Sequence, residues 1–436
     1  MKKIISMLLV LVMAVGMSAT LGTGSLVYAK NKKNDASTVT GKAMKVTKKT
    51  KATTEEMISG YNNFALKTLK GTISGEEEGK NIMISPASLM FALDMCAMGA
   101  KGKTYSQMAS LIRKGATKRD LINFAKYYRE SLESSGMMDI ANSIWINETN
   151  LKQNNVKINE KYLNLLRKQF KAAAASRVFG QDVCDEINAW ISEKTKGMIP
   201  KTLDKLDDKT IMLIINAMAF EGKWKEEYKD YQIDENGKFT NYAGETEDAK
   251  MLYSEEERYF ETESAKGFMK YYEGNKYAFM AILPLDRSVS INDYVAGLSD
   301  DAFNEFYQNM YYTEVDTYTP AFTFDYSINM NEMLKGLGMK KAFNLDADFF
   351  TMLDPKCDTT NIALYVGSVI QKTHIELDEK GTKAAAVTVI DMKCEATCVE
   401  PIREKKEVNL NRPFAFAIVD TETGTPVFAG VVNTLQ

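Results

Sequence analysis

The chain has 436 residues, a formal charge of −3 at neutral pH, five cysteines and a single histidine, His374. One histidine removes most histidine-based catalysis and metal ligation, and the five scattered cysteines form neither a disulfide framework nor zinc-finger spacing. Taking the ten lysines and one aspartate of residues 1–53 from the total leaves −12 on the remainder, which argues against nucleic acid as a partner.

In chain order, Lys2 and Lys3 precede an apolar run from Ile4 to Met17, and Val27-Tyr28-Ala29 supplies a small-x-small cleavage pattern. Residues 1–29 therefore predict a signal peptide, too short to span a membrane, and a secreted, extracellular product. Residues 30–53 are rich in Lys, Asn, Thr and Ser and poor in large apolar side chains. Such a stretch buries too little surface to offset its ordering entropy and predicts a disordered spacer. From residue 54 to 436 no Pro/Gly/Ser-rich linker or internal repeat divides the chain, so a single large domain is expected.

That domain opens with helices. Met57, Tyr61, Phe64 and Ala65 form one apolar stripe, and Asn81-Ile82-Met83-Ile84 reads as a strand. Ser85-Pro86 then supplies a cap and a first-turn proline for a helix ending at Gly99, apolar almost all round and hence expected in the core. Helical patterns follow over Asp120–Glu130 and Cys184–Lys194. The second half is richer in strands. Ile211 to Phe220 is a near-continuous apolar run, as for a strand buried on both faces, and Phe322–Ile328 alternates. Phe414–Val419 and Val427–Val432 read as a hairpin. Helices first and strands later, without βα alternation, indicate an α+β fold. His374 falls on a predicted strand as an ordinary surface or half-buried side chain.

The stretch from Ile375 to Arg403 is the informative one. It starts as a strand, passes Glu379-Lys380-Gly381-Thr382 and becomes Lys383-Ala384-Ala385-Ala386-Val387-Thr388. With period 2, one face holds Thr382, Ala384, Ala386, Thr388, Ile390 and Met392, all uncharged, while Lys383, Asp391 and Lys393 lie on the other. This is the pattern of a strand inside a sheet, in a segment that runs on into polar, exposed-looking sequence.

Here the chain resembles the serpin family, over essentially all of residues 54–436. The resemblance rests on six motifs in order: Asn81 to Ser88 with Gly99 to Thr104; Ile187-Asn188-Ala189-Trp190 with Thr195, Gly197 and Ile199; Asn216 to Trp224; Leu334 with Leu337-Gly338-Met339 and Phe343; the hinge Glu379 to Thr388; and Arg412-Pro413-Phe414 with Val427 to Gly430. It implies three β-sheets, about nine helices and an exposed reactive-centre loop that inserts into the largest sheet after cleavage. It further implies a monomeric suicide-substrate inhibitor of a serine or cysteine protease, with no catalytic group, metal or cofactor. The loop hinge would comprise Glu379, Gly381, Thr382, Ala384, Ala385, Ala386 and Thr388. The cluster governing sheet opening would comprise Ser85, Ser88, Asn216, Gln371 and Trp224.

Counting from the hinge places the reactive bond at Glu395–Ala396, suiting a glutamate-preferring protease; slippage to Ala396 or Thr397 would suit an elastase-like one. Counting back from Pro413-Phe414 lands near Ile402, where Arg403 would suit a trypsin-like enzyme. The hinge count is preferred, because eight extra residues would leave ~26 Å of slack in the inserted strand. Cys394 and Cys398 flank the bond. Four extended residues span ~13 Å against the ~7 Å a disulfide tolerates, so two free thiols are expected, and a pair across the bond would stall insertion. In two places the chain departs from the family. Gln371 stands where many members have histidine, and Ala321 aligns with a lysine that often pairs with the hinge glutamate, which leaves Glu379 unpaired. The rival reading is a non-inhibitory serpin acting as a carrier; such members put charged, proline or bulky residues on the inward hinge face, unlike Thr382, Ala384, Ala386 and Thr388. A secreted hydrolase would need a nucleophile–base pair, for which His374 is the sole histidine.

Overall fold

The computed structural model describes residues 52–201, 203–206, 212–382 and 405–435. The predicted signal segment, nearly all of the Lys-rich stretch and residues 383–404 lie outside the described residues. So do Ala384, Ala385, Ala386, Thr388, the proposed bond Glu395–Ala396, and Cys394 and Cys398.

Helices lead, as the patterning requires: α1 (Thr54–Ile73), α2 (Pro86–Gly99), α3 (Gly102–Ile112) and α4 (Lys118–Glu133), interrupted by strand β1 (Ile82–Ile84). Helix α1 starts at a capping box in which Thr53 and Glu56 satisfy each other's backbone amides, and α4 repeats the device with Thr117 and Asp120. Every residue of α2 is buried, and burial pushes the Asp94 carboxyl in it well above the ordinary carboxylate range. Three further helices, α5 (Thr149–Gln153), α6 (Glu160–Phe170) and α7 (Gln181–Lys194), alternate with β2 (Met138–Asn147) and β3 (Ala173–Arg177).

The remaining strands are β4 (Met212–Phe220), β5 (Gly222–Lys223), β6 (Ile233–Thr240), β7 (Thr246–Glu261), β8 (Ala265–Tyr271), β9 (Tyr277–Pro284), β10 (Tyr311–Pro320) and β11 (Phe322–Asn329). They continue with β12 (Ser368–Leu377), β13 (Gly381–Thr382), β14 (Lys406–Asn409), β15 (Phe414–Asp420) and β16 (Pro426–Val432). Helices α8 (Ile291–Gly297), α9 (Ala302–Gln308) and α10 (Asn331–Gly336) bring the described α-helices to ten, against about nine expected. Hydrogen bonding joins the described strands into two sheets where the resemblance implies three. The reason is β7, whose first half pairs with β6 and whose last residues pair with β8, so two parts of the nine-stranded sheet share one long strand.

The seven-stranded sheet has the order β3-β2-β4-β12-β13-β5, with β11 on β12. Its strand β4 explains its own composition. Met212, Ile214, Met218 and Phe220 point into the main core, while Leu213, Ile215 and Ala217 point into a second, smaller core beneath Val183, Ile187 and Ile191 of α7. A strand with a core on each face has no polar side to show.

Candidate functional site

The site is the seam between β12 and the β4–β5 strand. Lower down, β12 pairs parallel with β4, Ser368–Lys372 against Leu213–Ala217. At the top the two strands part, and Gly381-Thr382 stands between them, Thr382 opposite Leu377 on one side and Gly222 on the other. The offset between β12 and the β4–β5 strand is the same in both places. Widening the seam therefore calls for lateral separation without slippage.

The chain reaches that position through a tight turn. Asp378 N donates to Gly381 O at 3.0 Å, and its carboxylate accepts from Lys380 N at 2.8 Å and Gly381 N at 3.0 Å. Glycine is required at 381, since a Cβ there would lie 2.2 Å from the Gly222 carbonyl oxygen. Thr382 is buried and its hydroxyl bonds the Tyr272 hydroxyl at 2.7 Å. Three successive carbonyls of the turn are held from one side: Asp378 O by the Trp224 indole N–H, Glu379 O by Tyr228 N and Lys380 O by Trp224 N, each at 2.9 Å.

Glu379 is paired, contrary to the expectation drawn from Ala321. Its carboxylate meets Lys250 Nζ at 2.9 Å, and the lysine also lies 3.6 Å from Glu235. Ala321 marks the right neighbourhood, because its own amide donates to Lys250 O at 2.8 Å; the cation comes from β7 instead of from the strand boundary at residue 321. The Lys250 hydrogen bond holds the Glu379 carboxyl below its ordinary 4.5 despite partial burial. A lowered carboxylate stabilises the fold fully above about pH 4.5 and loses that contribution as pH falls through the lowered value. Lys250→Met is expected to cost about 1 kcal/mol in urea unfolding at neutral pH and to flatten the acid side of the stability profile.

Lower in the seam, Gln371 is buried and clasps the backbone of Ser85. Its amide oxygen accepts from Ser85 N at 3.0 Å and its NH₂ donates to Ser85 O at 2.8 Å. The Ser85 hydroxyl caps α2 by accepting from Ser88 N and donates to Val427 O at 2.9 Å. Thr373 adds a bond to Met83 O at 2.7 Å. Asn216 stands opposite Gln371 in the ladder. Thus Ser85, Ser88 and Gln371 assemble, with Asn216 in register, but Trp224 belongs to the hinge, eight residues and ~26 Å beyond Asn216 along the strand. A two-bond amide clasp has no proton to lose in the physiological range. Gln371→His is expected to introduce a pH step near ~6.5 in the rate of sheet opening, followed by thermal conversion between about pH 5 and 8.

The sequence reading missed Lys250, Tyr228, Lys270, Tyr272 and Thr373. None sits in a motif; Lys250, Lys270 and Thr373 reach the site on strands β7, β8 and β12, Tyr272 through a bridge to Trp224, and Tyr228 through its amide on the turn. His374, on β12, is half-buried beside Asp325 at 3.0 Å, as its strand position implies.

The family model for serpins (serine protease inhibitors) matches residues 59–435. Among curated relatives, human neuroserpin is 27% identical over 398 residues, covering 87% of this chain and 91% of that protein. The leukocyte elastase inhibitor of Xenopus tropicalis is 27% identical over 395 residues, covering 86% and 98%. The crystal structure of tengpin, a thermophilic serpin, in its native state superposes with a TM-score of 0.79 at 36% identity, covering 88% of this chain and 96% of that one. With the seam, the hinge turn and the clasp in place, the chain belongs to the serpin family.

Proposed function

We propose that this serpin is an exported inhibitor that traps a serine protease as an acyl complex by inserting its cleaved loop into the β4–β12 seam. The observation that carries the reading is Gly381-Thr382 standing in line at the top of the seam, antiparallel to both flanking strands. Continuing that register places Ala384 opposite Ile375, Ala386 opposite Thr373 and Thr388 opposite Gln371. Counted from Gly222, Thr388 falls opposite Asn216, the residue now paired with Gln371. Because the offset between the flanking strands is constant, an inserted loop in this register would meet matching levels on both sides. The face that Thr382 begins is continued by Ala384, Ala386 and Thr388, small and uncharged, so the strand enters without overpacking or burying charge. The protease supplies the catalytic groups; the serpin supplies the stored strand position.

The count from the hinge favours cleavage at Glu395–Ala396 by a glutamate-preferring enzyme, with slippage to Ala396 or Thr397 suiting an elastase-like one. The test mixes the mature protein with elastase-, glutamate-, trypsin- and subtilisin-like proteases, resolves SDS-stable complexes and weighs the released C-terminal peptide. A complex with a peptide starting between Ala396 and Cys398 supports both trap and bond. Cleavage by all four without a complex means a substrate or carrier, and overturns the inhibitory reading.

A further inference from the structure

Behind the hinge lies a buried ion pair that the loop mechanism does not itself call for. Lys270 of β8 is 4% exposed, and its Nζ meets Glu256 of β7 at 2.8 Å. The same ammonium lies 4.3 Å from the ring centre of Tyr228 and 5.5 Å from that of Trp224. Glu256 is held in turn by the Ser254 hydroxyl at 2.7 Å, which also bonds Thr317 at 2.9 Å. Trp224 is also stacked on Tyr272, with ring centres 4.5 Å apart. Desolvating two charges is expensive, and an apolar pair of similar volume would serve packing as well or better. The retained charge has a directional consequence that an apolar side chain cannot reproduce: an ammonium is attracted to the faces of Trp224 and Tyr228 and not to their edges. Those two residues, through one indole N–H and two amides, hold all three carbonyls of the turn that leads into the loop.

Resting on the inhibitory reading, we infer that Lys270, clamped by Glu256, is a positioning residue for loop insertion, setting Trp224 and Tyr228 so that the turn at Asp378–Lys380 stays a fixed fulcrum while the strand beyond Thr382 enters. Without it the turn loses its orientation, the first inserted pairs form late, and the acyl complex hydrolyses before the protease is carried away.

The test compares wild type with Lys270→Arg, Lys270→Met and the apolar pair Lys270→Met/Glu256→Leu, which leaves no buried charge unpaired. In the intact proteins, hydrogen exchange at the amides of Trp224 and Tyr228 and the emission of Trp224, in a background lacking Trp145 and Trp190, report the hinge without any protease. With the protease that forms complexes in the panel, the number of inhibitor molecules consumed per enzyme reports insertion. The expected result is that the apolar pair melts at or above the wild-type temperature, yet exchanges at least tenfold faster at the two amides. It should also shift the Trp224 emission and raise consumption at least threefold, with Lys270→Arg restoring most of both. A folded apolar pair with unchanged exchange, emission and consumption overturns the proposal. If wild type traps no protease, the inhibitory reading fails, while exchange and emission still decide whether Lys270 orients the hinge.

Discussion

Ala386→Arg is expected to turn the inhibitor into a substrate. In the register begun by Thr382, residue 386 arrives between Thr373 and Met218, facing the main core, where Thr373 is already bonded to the Met83 carbonyl. An arginine driven into that layer has no carboxylate to meet. A desolvation cost of about 3 kcal/mol slows insertion by roughly 100-fold, enough for deacylation to win. Ala385→Arg is the matched control, because in the same inserted register position 385 would turn to the other face, opposite half-buried His374. Complex yield on SDS gels should collapse for the first variant and persist for the second. Equal yields would contradict the proposed register, whatever the protease.

Gly381→Val should have the largest effect on the uncleaved protein. Its Cβ would stand 2.2 Å from the Gly222 oxygen and 2.8 Å from the Lys223 Cα, both backbone atoms that cannot swing aside. The two residues of β13 must then leave the seam, which breaks the Thr382–Tyr272 bond and both flanking pairs. A loss of about 2–3 kcal/mol is expected in urea unfolding of the intact chain. Gly222→Ala is the gentler comparison, since its obstacle is the rings of Phe220 and Tyr272. A Gly381→Val protein as stable as wild type would mean that the hinge is not held in the seam.

Much of this architecture was legible in the residues. The helix after Ser85-Pro86, apolar almost all round, is buried throughout, and the apolar run ending at Phe220 is the strand with a core on each face. Local patterning suffices there because each residue reports its own surroundings. The site is different, for it depends on which strands lie side by side. Asn216 and Trp224 share one motif in the chain, yet eight residues of extended backbone span ~26 Å and carry them to separate places. Lys250 reaches Glu379 from 129 positions away, across a pairing that composition does not encode, and only the backbone of Ala321 records the neighbourhood. Gln371 could be named as a substitution, but that an amide would bond both backbone groups of one residue depended on Ser85 standing opposite it.

The smaller core has a mechanical consequence. Its members lie on β2, β4, α7 and the loops between, with Ile370 of β12 only a partly buried neighbour. The boundary of that core thus coincides with the seam itself. Strands β3, β2 and β4 with α7 form one leaf of a double door, glued internally by Trp145, Ile187, Ile191 and Leu213, and β12 belongs to the other leaf. Parting the leaves leaves the glue intact. Resisting the swing are the short ladder from Ser368 to Lys372, the Lys372 bond to the Lys201 carbonyl, the packing of β4's other face in the main core, and the hold that Gln371 keeps on the frame behind.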